Sequence, residues 1–167
     1  MREHMMQTEM YPEQLTRPSS NSKDVIKAAA AGYADKMHGK WSEWSKQEWI
    51  EGLVKHYAHH KDGYETAKDM ESDGFAPDSE MVSDLDDFGF EVSRAHRNAV
   101  IEWVKKVGFE PVFSVGDAVD MGESHHRNER FGIVSEIRHD TAEYAVKTDP
   151  ASTSAFIIRS ENLSPRE

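Results

Sequence analysis

DSEMVSDLDDFGFEVSRAHRNAVIEWVKKVGFEP, residues 78–111, decides how this chain is built. Met81, Leu85, Phe88, Val92, Ala95, Ala99 and Trp103 recur at steps of four, three, four, three, four and four. Side chains at that spacing share one helix face, so the segment is a long amphipathic helix. Asp78 is its N-cap, a short carboxylate that accepts from a first-turn N–H. Gly108 supplies the C-terminal cap, and Pro111 forbids continuation. Acids dominate the first half and Arg94, Arg97, Lys105 and Lys106 the second, as the helix macrodipole favours. Gly89 costs about 1 kcal/mol relative to Ala in such a helix and marks a bend or a close packing contact.

Upstream, the pattern stays helical. Residues 1–22 are polar, Met-rich and interrupted by Pro12 and Pro18, which predicts a flexible arm ending in Ser22 as an N-cap. Val25, Ile26, Ala29, Ala30 and Tyr33 form the apolar face of a first helix, broken at His38-Gly39-Lys40. Ser45 and Glu48 make a capping box. Trp49, Ile50, Leu53, Val54 and Tyr57 follow on one face, and a short helix runs from Tyr64 to about Glu71. Three to four helices thus fill a helical domain over residues 23–108.

After Pro111 the apolar period drops from 3.6 to 2. Asp117–Met121, Phe131–Arg138, Ala142–Thr148 and Ala155–Arg159 read as strands, with turns between them. Ile133, Val134, Ile137, Tyr144, Val146, Phe156 and Ile158 are the expected interior. Several short strands at such spacing predict a small antiparallel barrel over 112–165, which makes the chain α+β. Val115-Gly116-Asp117-Ala118-Val119, Arg130-Phe131-Gly132-Ile133-Val134, Tyr144-Ala145-Val146-Lys147 and Glu161-Asn162-Leu163 together resemble small SH3-like barrels of the KOW type. That resemblance covers about a third of the chain and implies association with nucleic acid or with the transcription and translation machinery. This copy departs from the pattern by carrying more acids than bases. The whole chain also resembles uncharacterised accessory proteins of bacteriophages, which implies residence in a bacterial host cell.

Charge narrows the function. The formal net charge is −11 and there is no cysteine. Thiolate metal sites and thiol nucleophiles are excluded, and the sign disfavours direct nucleic-acid binding, where phosphate neutralisation supplies most of the affinity. No stretch is apolar enough for a membrane span, and the N-terminus lacks a secretory signal pattern, so a cytoplasmic location is expected. The segment from Asp62 to Glu91 holds eleven acids and one base, Lys68, a net of −10. Within it Glu80, Asp84, Asp87 and Glu91 line one edge of the long helix. Like charges at that spacing repel, so the fold is not expected to need them. They are the first candidate partner-binding residues, for a protein with a basic surface, as an imitation of nucleic-acid phosphates; a solvated face is the plainer alternative. Trp41 and Trp44 are the second candidates, as packing over the helices or as partner contacts.

His56, His59 and His60 have helical i,i+3 and i,i+4 spacings that could chelate a metal, the basis for a metal-dependent enzyme. The Glu that zinc proteases carry after the first His is missing, and His125-His126 sits in a polar loop. No P-loop, dinucleotide-binding or nucleophile-elbow motif is present, and no cofactor is expected. The sequence therefore favours a non-enzymatic protein-binding protein, an effector inhibiting a host nucleic-acid-handling complex such as a defence system. A nucleic-acid-associated barrel is the runner-up and the metal enzyme the third reading. A homo-oligomer is compatible with the sequence.

Overall fold

The computed structural model describes residues 16–123 and 129–166. It is an α+β protein with two compact units, one running to Val100 and one from Ile101 onward. Helices α1 (Lys23–Lys40), α2 (Lys46–His56), α3 (Gly63–Glu71) and α4 (Ser79–Val107) precede the strands, and α4 passes from the first unit into the second. Among the described residues no helix is long and apolar enough to cross a membrane.

Local chemistry starts each helix. Ser22 Oγ accepts from the Val25 N–H, and Ser45 with Glu48 forms the expected capping box. Asp62 and Glu65 form a second capping box ahead of α3, and Asp78 Oδ1 accepts from Met81 N–H at 2.8 Å ahead of α4. The helix expected to break at His38-Gly39 continues to Lys40, where Trp41 N–H closes on the Met37 carbonyl. His38 and Lys40 in that last turn suit the C-terminal dipole, and the His38 ring N–H donates to the Trp44 carbonyl at 2.8 Å. The described end of the expected arm is anchored too: the His96 ring donates to the Pro18 carbonyl at 3.1 Å. Residues 1–15 lie outside the described residues.

The helical core joins Ile26, Ala30, Tyr33 and Met37 of α1 to Trp49 and Leu53 of α2, Met70 of α3 and Met81, Leu85, Phe88 and Val92 of α4. Gly63 lets α3 abut α4, since a Cβ there would fall 2.6 Å from the Asp86 nitrogen. Beyond Val92 the buried face of α4 shifts to Val100 and Val104, and the expected Ala95, Ala99 and Trp103 are half-buried. Gly108, at φ +67°, ends the helix with its N–H on the Val104 carbonyl.

The second unit holds an antiparallel sheet of β1 (Ala118–Asp120), β2 (Phe131–Arg138), β3 (Glu143–Lys147), β4 (Phe156–Arg159) and β5 (Ser164–Pro165), in the order β4-β3-β2-β1-β5. A 3-10 turn, Ser160–Asn162, carries the chain from β4 to β5. The register of β2 on β3 shifts between Val134 and Glu136, a bulge that re-aims the alternation. Val119, Val134, Tyr144 and Val146 are the centre of the interior, with Phe113, Met121 and Leu163 added and Ile137, Phe156 and Ile158 at its margin. Ile133 was expected inside. It pairs opposite exposed Ala118, one position out of phase with buried Val134, and so lies on the outer face. Tyr144 pins the entry to the sheet: its hydroxyl accepts from the N–H groups of Val112 and Phe113 at 3.0 and 3.3 Å.

Candidate functional site

The acidic edge of α4 faces lysines of α1. Asp84 is 7% exposed. Its two oxygens meet Lys36 Nζ and Lys40 Nζ, each at 2.7 Å. Lys40 also reaches Glu80 at 3.0 Å, and Lys36 lies 3.7 Å from Asp87. Tyr33 ties the same place from beneath, donating to the Asp84 main-chain carbonyl at 2.5 Å and accepting from Lys36 at 2.9 Å. Burial works to raise the Asp84 carboxyl, but the hydrogen bonds from Lys36 and Lys40 outweigh it and hold the group below the ordinary range. The same bond raises Lys36, and burial raises the Tyr33 hydroxyl. The expectation that the fold has no use for these acids is corrected: repulsion along the row is relieved by two lysines, and Asp84 is a structural tie between helices.

The rest of the acidic segment divides in the same way. Asp62 and Asp78 cap helices. Asp69 pairs with Lys61 at 2.5 Å, and Asp73 with Lys55 at 2.7 Å. Asp86 accepts from the Gly63 N–H at 2.5 Å, where α3 meets α4, and Glu91 pairs with Arg94. Lys61 holds the Asp69 carboxyl low, and Lys55 with His56 does the same for Asp73. The pairing still leaves the sign unchanged. Eleven carboxylates stand against five paired cations, Lys36, Lys40, Lys55, Lys61 and Arg94, and against Lys68 within the segment, and eleven minus six leaves five negative charges. Glu80 and Asp87 keep side chains 67% and 59% exposed.

Trp41 and Trp44 are half-buried and pack on the helical core. Trp44 stacks on Phe75 at 5.0 Å between ring centroids and meets Trp49 edge-on at 5.7 Å, while Trp41 lies 6.1 Å from Trp49. Trp49 Nε1–H donates to the Trp41 carbonyl at 3.4 Å. These contacts give both residues a packing role.

The histidine chelate does not form as its spacing suggested. Helix α2 ends at His56, and Tyr57 turns extended at ψ 132°, so His59 and His60 occupy a turn rather than the next helical step. His56 Nε2 instead meets Asp73 Oδ2 at 2.7 Å. Among the described residues no three His, Asp or Glu side chains gather as a metal set. His125 and His126 lie outside the described residues.

Large apolar groups remain exposed elsewhere. Phe90 is 76% and Tyr64 63% exposed. Phe90 stands beside a groove of about 250 Å³ with Tyr57, His59, Lys61 and Gly89. Another, of about 530 Å³, lies along α1 and α2. On the outer face of the sheet Phe131 is 41% exposed, with the guanidinium groups of Arg130 and Arg166 at 5.3 and 4.9 Å from its ring centroid. Arg130 is anchored by Asp120, whose oxygens lie 2.9 and 3.0 Å from its Nε, and that bond raises the guanidinium further. No motif signalled either the Arg–Phe–Arg arrangement or the grooves, because both depend on which strands and helices become neighbours. Comparison of the chain with family models, with curated proteins and with solved structures finds no match.

Proposed function

We propose that this chain is a non-enzymatic protein-binding protein that offers the acidic face of its helical unit to a basic protein surface. The observation that supports the reading is the residual charge: five negative charges remain on the Asp62–Glu91 segment after the five cations that pair with it from outside, and Lys68 within it, are subtracted. A face of that sign steers a basic partner and competes with nucleic-acid phosphates for it. On the resemblance to phage accessory proteins, the partner is a host complex that handles nucleic acid, and the protein acts as its inhibitor in the bacterial cytoplasm. The test is capture from bacterial lysate by the native protein and by a variant carrying Glu71→Gln, Glu80→Gln and Asp87→Asn. These positions are exposed, and Asp84 is kept for the fold. The native protein retains a partner that salt releases, as the Debye length falls from about 10 Å at 0.1 M to about 3 Å at 1 M. The variant loses that partner, and DNA or RNA displaces it from the native protein. Equal retention by both proteins rejects the reading.

A second reading draws on Phe131, Arg130 and Arg166: an SH3-like module that stacks an unpaired base on Phe131 beside two guanidinium groups. The strand order, with a 3-10 turn before β5 returns to β1, supports that resemblance. A gel shift of single-stranded RNA by the full chain, lost in Phe131→Ala with Arg166→Ala, separates it from the first.

A further inference from the structure

Lysines of the helical unit are mostly matched by carboxylates. Lys36, Lys40, Lys46, Lys55 and Lys61 each meet one. Lys23 and Lys27 are exposed, and among the described residues neither side chain has an ion-pair or hydrogen-bond partner. Lys23 opens α1, where a cation runs against the helix dipole, so helix stability gains nothing from it. Both lysines border the groove of about 530 Å³ along α1 and α2. Half-buried Ile50 and Val54 supply its apolar lining, Lys55 borders it while paired with Asp73, and Glu51, held by Gln47 at 2.7 Å, is its one carboxylate.

We propose that this groove docks an amphipathic acidic helix of a partner protein. Its apolar side chains rest on Ile50 and Val54, and its carboxylates meet Lys23 and Lys27. The spacing supports a helical occupant. Lys23 with Lys27, and Ile50 with Val54, are each one i,i+4 step apart, about 6 Å along a helix axis. A ligand helix repeats its own apolar and acidic rows at that rise. The sign supports an acidic occupant, since Lys23 and Lys27, neither matched by a carboxylate, stand against Glu51 alone here on a chain whose net charge is −11, Lys55 being paired with Asp73. Glu71, Glu80 and Asp87, the acids that test the first reading, do not line this groove, so either reading can fail alone.

The experiment is fluorescence anisotropy with the full chain and a labelled helical peptide carrying Leu at i, i+3, i+4 and i+7 and Glu at its flanking positions. Its controls are the same peptide with Lys for Glu, a peptide of Glu without Leu, and a single-stranded oligonucleotide. The acidic peptide binds saturably and the Lys version does not. The double variant Lys23→Glu, Lys27→Glu keeps the native far-UV spectrum and binds roughly tenfold more weakly, about 1.4 kcal/mol. Amide chemical shifts move at Lys23, Lys27, Ile50 and Val54. No saturable binding, unchanged affinity in the double variant, or shifts confined to other surfaces overturns the proposal. Preference for the Glu-only peptide or the oligonucleotide overturns it in favour of a general anion site. A concentration-dependent dimer that the double variant abolishes assigns the groove to a second copy of this chain, and overturns it too.

Discussion

Lys36 Nζ lies 2.7 Å from Oδ1 of Asp84, across the seam between α1 and α4. Lys40 meets the other oxygen of the same carboxylate at the same distance. One nearly buried acid is therefore bridged by two cations one helical turn apart, each about 40% exposed. The acid gains charged hydrogen bonds that offset its desolvation, and the lysines keep part of their hydration. The acidic row on α4 thus serves packing at Asp84, while Glu80 and Asp87 stay available to solvent.

Replacing Asp84 with Asn removes the carboxylate that the two lysines share and leaves Lys40 with exposed Glu80 at 3.0 Å and Lys36 with exposed Asp87 at 3.7 Å. The lysines can also turn to water, so the loss stays short of that for a fully buried pair. Chemical denaturation should show a loss of about 1–2 kcal/mol. Glu80→Gln, at an exposed position, should fall within about 0.5 kcal/mol of the native protein. A double-mutant cycle between Lys36 and Asp84 should return a coupling, and an additive result would contradict the tie.

Acid should weaken the helical unit through the same groups. Asp84, Asp69 and Asp73 all have carboxyls held below the ordinary range by neighbouring lysines. A group depressed in the folded state contributes stability above its unfolded pKa, about 3.9 for Asp, and loses it as pH falls through the folded value. Melting temperature should be flat from neutral pH to about pH 5 and should drop below about pH 4. In Asp84→Asn that acid-side slope should be shallower. Lys36 is shifted the opposite way, upward, so its contribution is full below about pH 10.4 and is lost only above that.

Val134 is 1% exposed at the centre of the sheet's interior. Val134→Asp would place a carboxylate there without a partner, at a cost of several kcal/mol. The variant should lose the sheet unit's dispersed amide resonances. Native-like resonances from β2 and β3 would show that the interior is placed wrongly.

How much of this was legible follows from range. Ser45 with Glu48, and Asp78 ahead of Met81, act within one helical turn, so cap chemistry marked those starts directly. Strands β2 and β3 were legible because alternation is local too. The Lys40–Asp84 tie spans 44 residues and depends on which helix neighbours which. A signal existed in hindsight: Lys36 and Lys40 flank the apolar face of α1 at Met37, and Glu80 and Asp84 flank that of α4 at Met81. Opposite charges bordering two apolar stripes mark them as packing partners, as they do in coiled coils. The end of α2 at His56 carried no breaker residue, which is why His59 and His60 looked helical. β5 has two residues, too few for any period to register.

Gly89 tests whether a residue that weakens a helix is needed by the packing around it. It lies well inside the 29-residue α4, where Gly costs about 1 kcal/mol relative to Ala. The expected close contact is absent: a Cβ there would meet only the Tyr57 hydroxyl, at 3.8 Å, an ordinary van der Waals distance. Its backbone is not left-handed either, so alanine brings no strain. Gly89→Ala should therefore raise stability by about 1 kcal/mol, read as a higher denaturation midpoint at unchanged slope. The added methyl enters the groove beside Phe90 and Tyr57 without displacing either ring. A bulkier Gly89→Leu should gain less, because its branched end must share that space with the Tyr57 hydroxyl. A loss of stability in the alanine variant would mean that α4 bends or packs at this point more tightly than the 3.8 Å clearance describes.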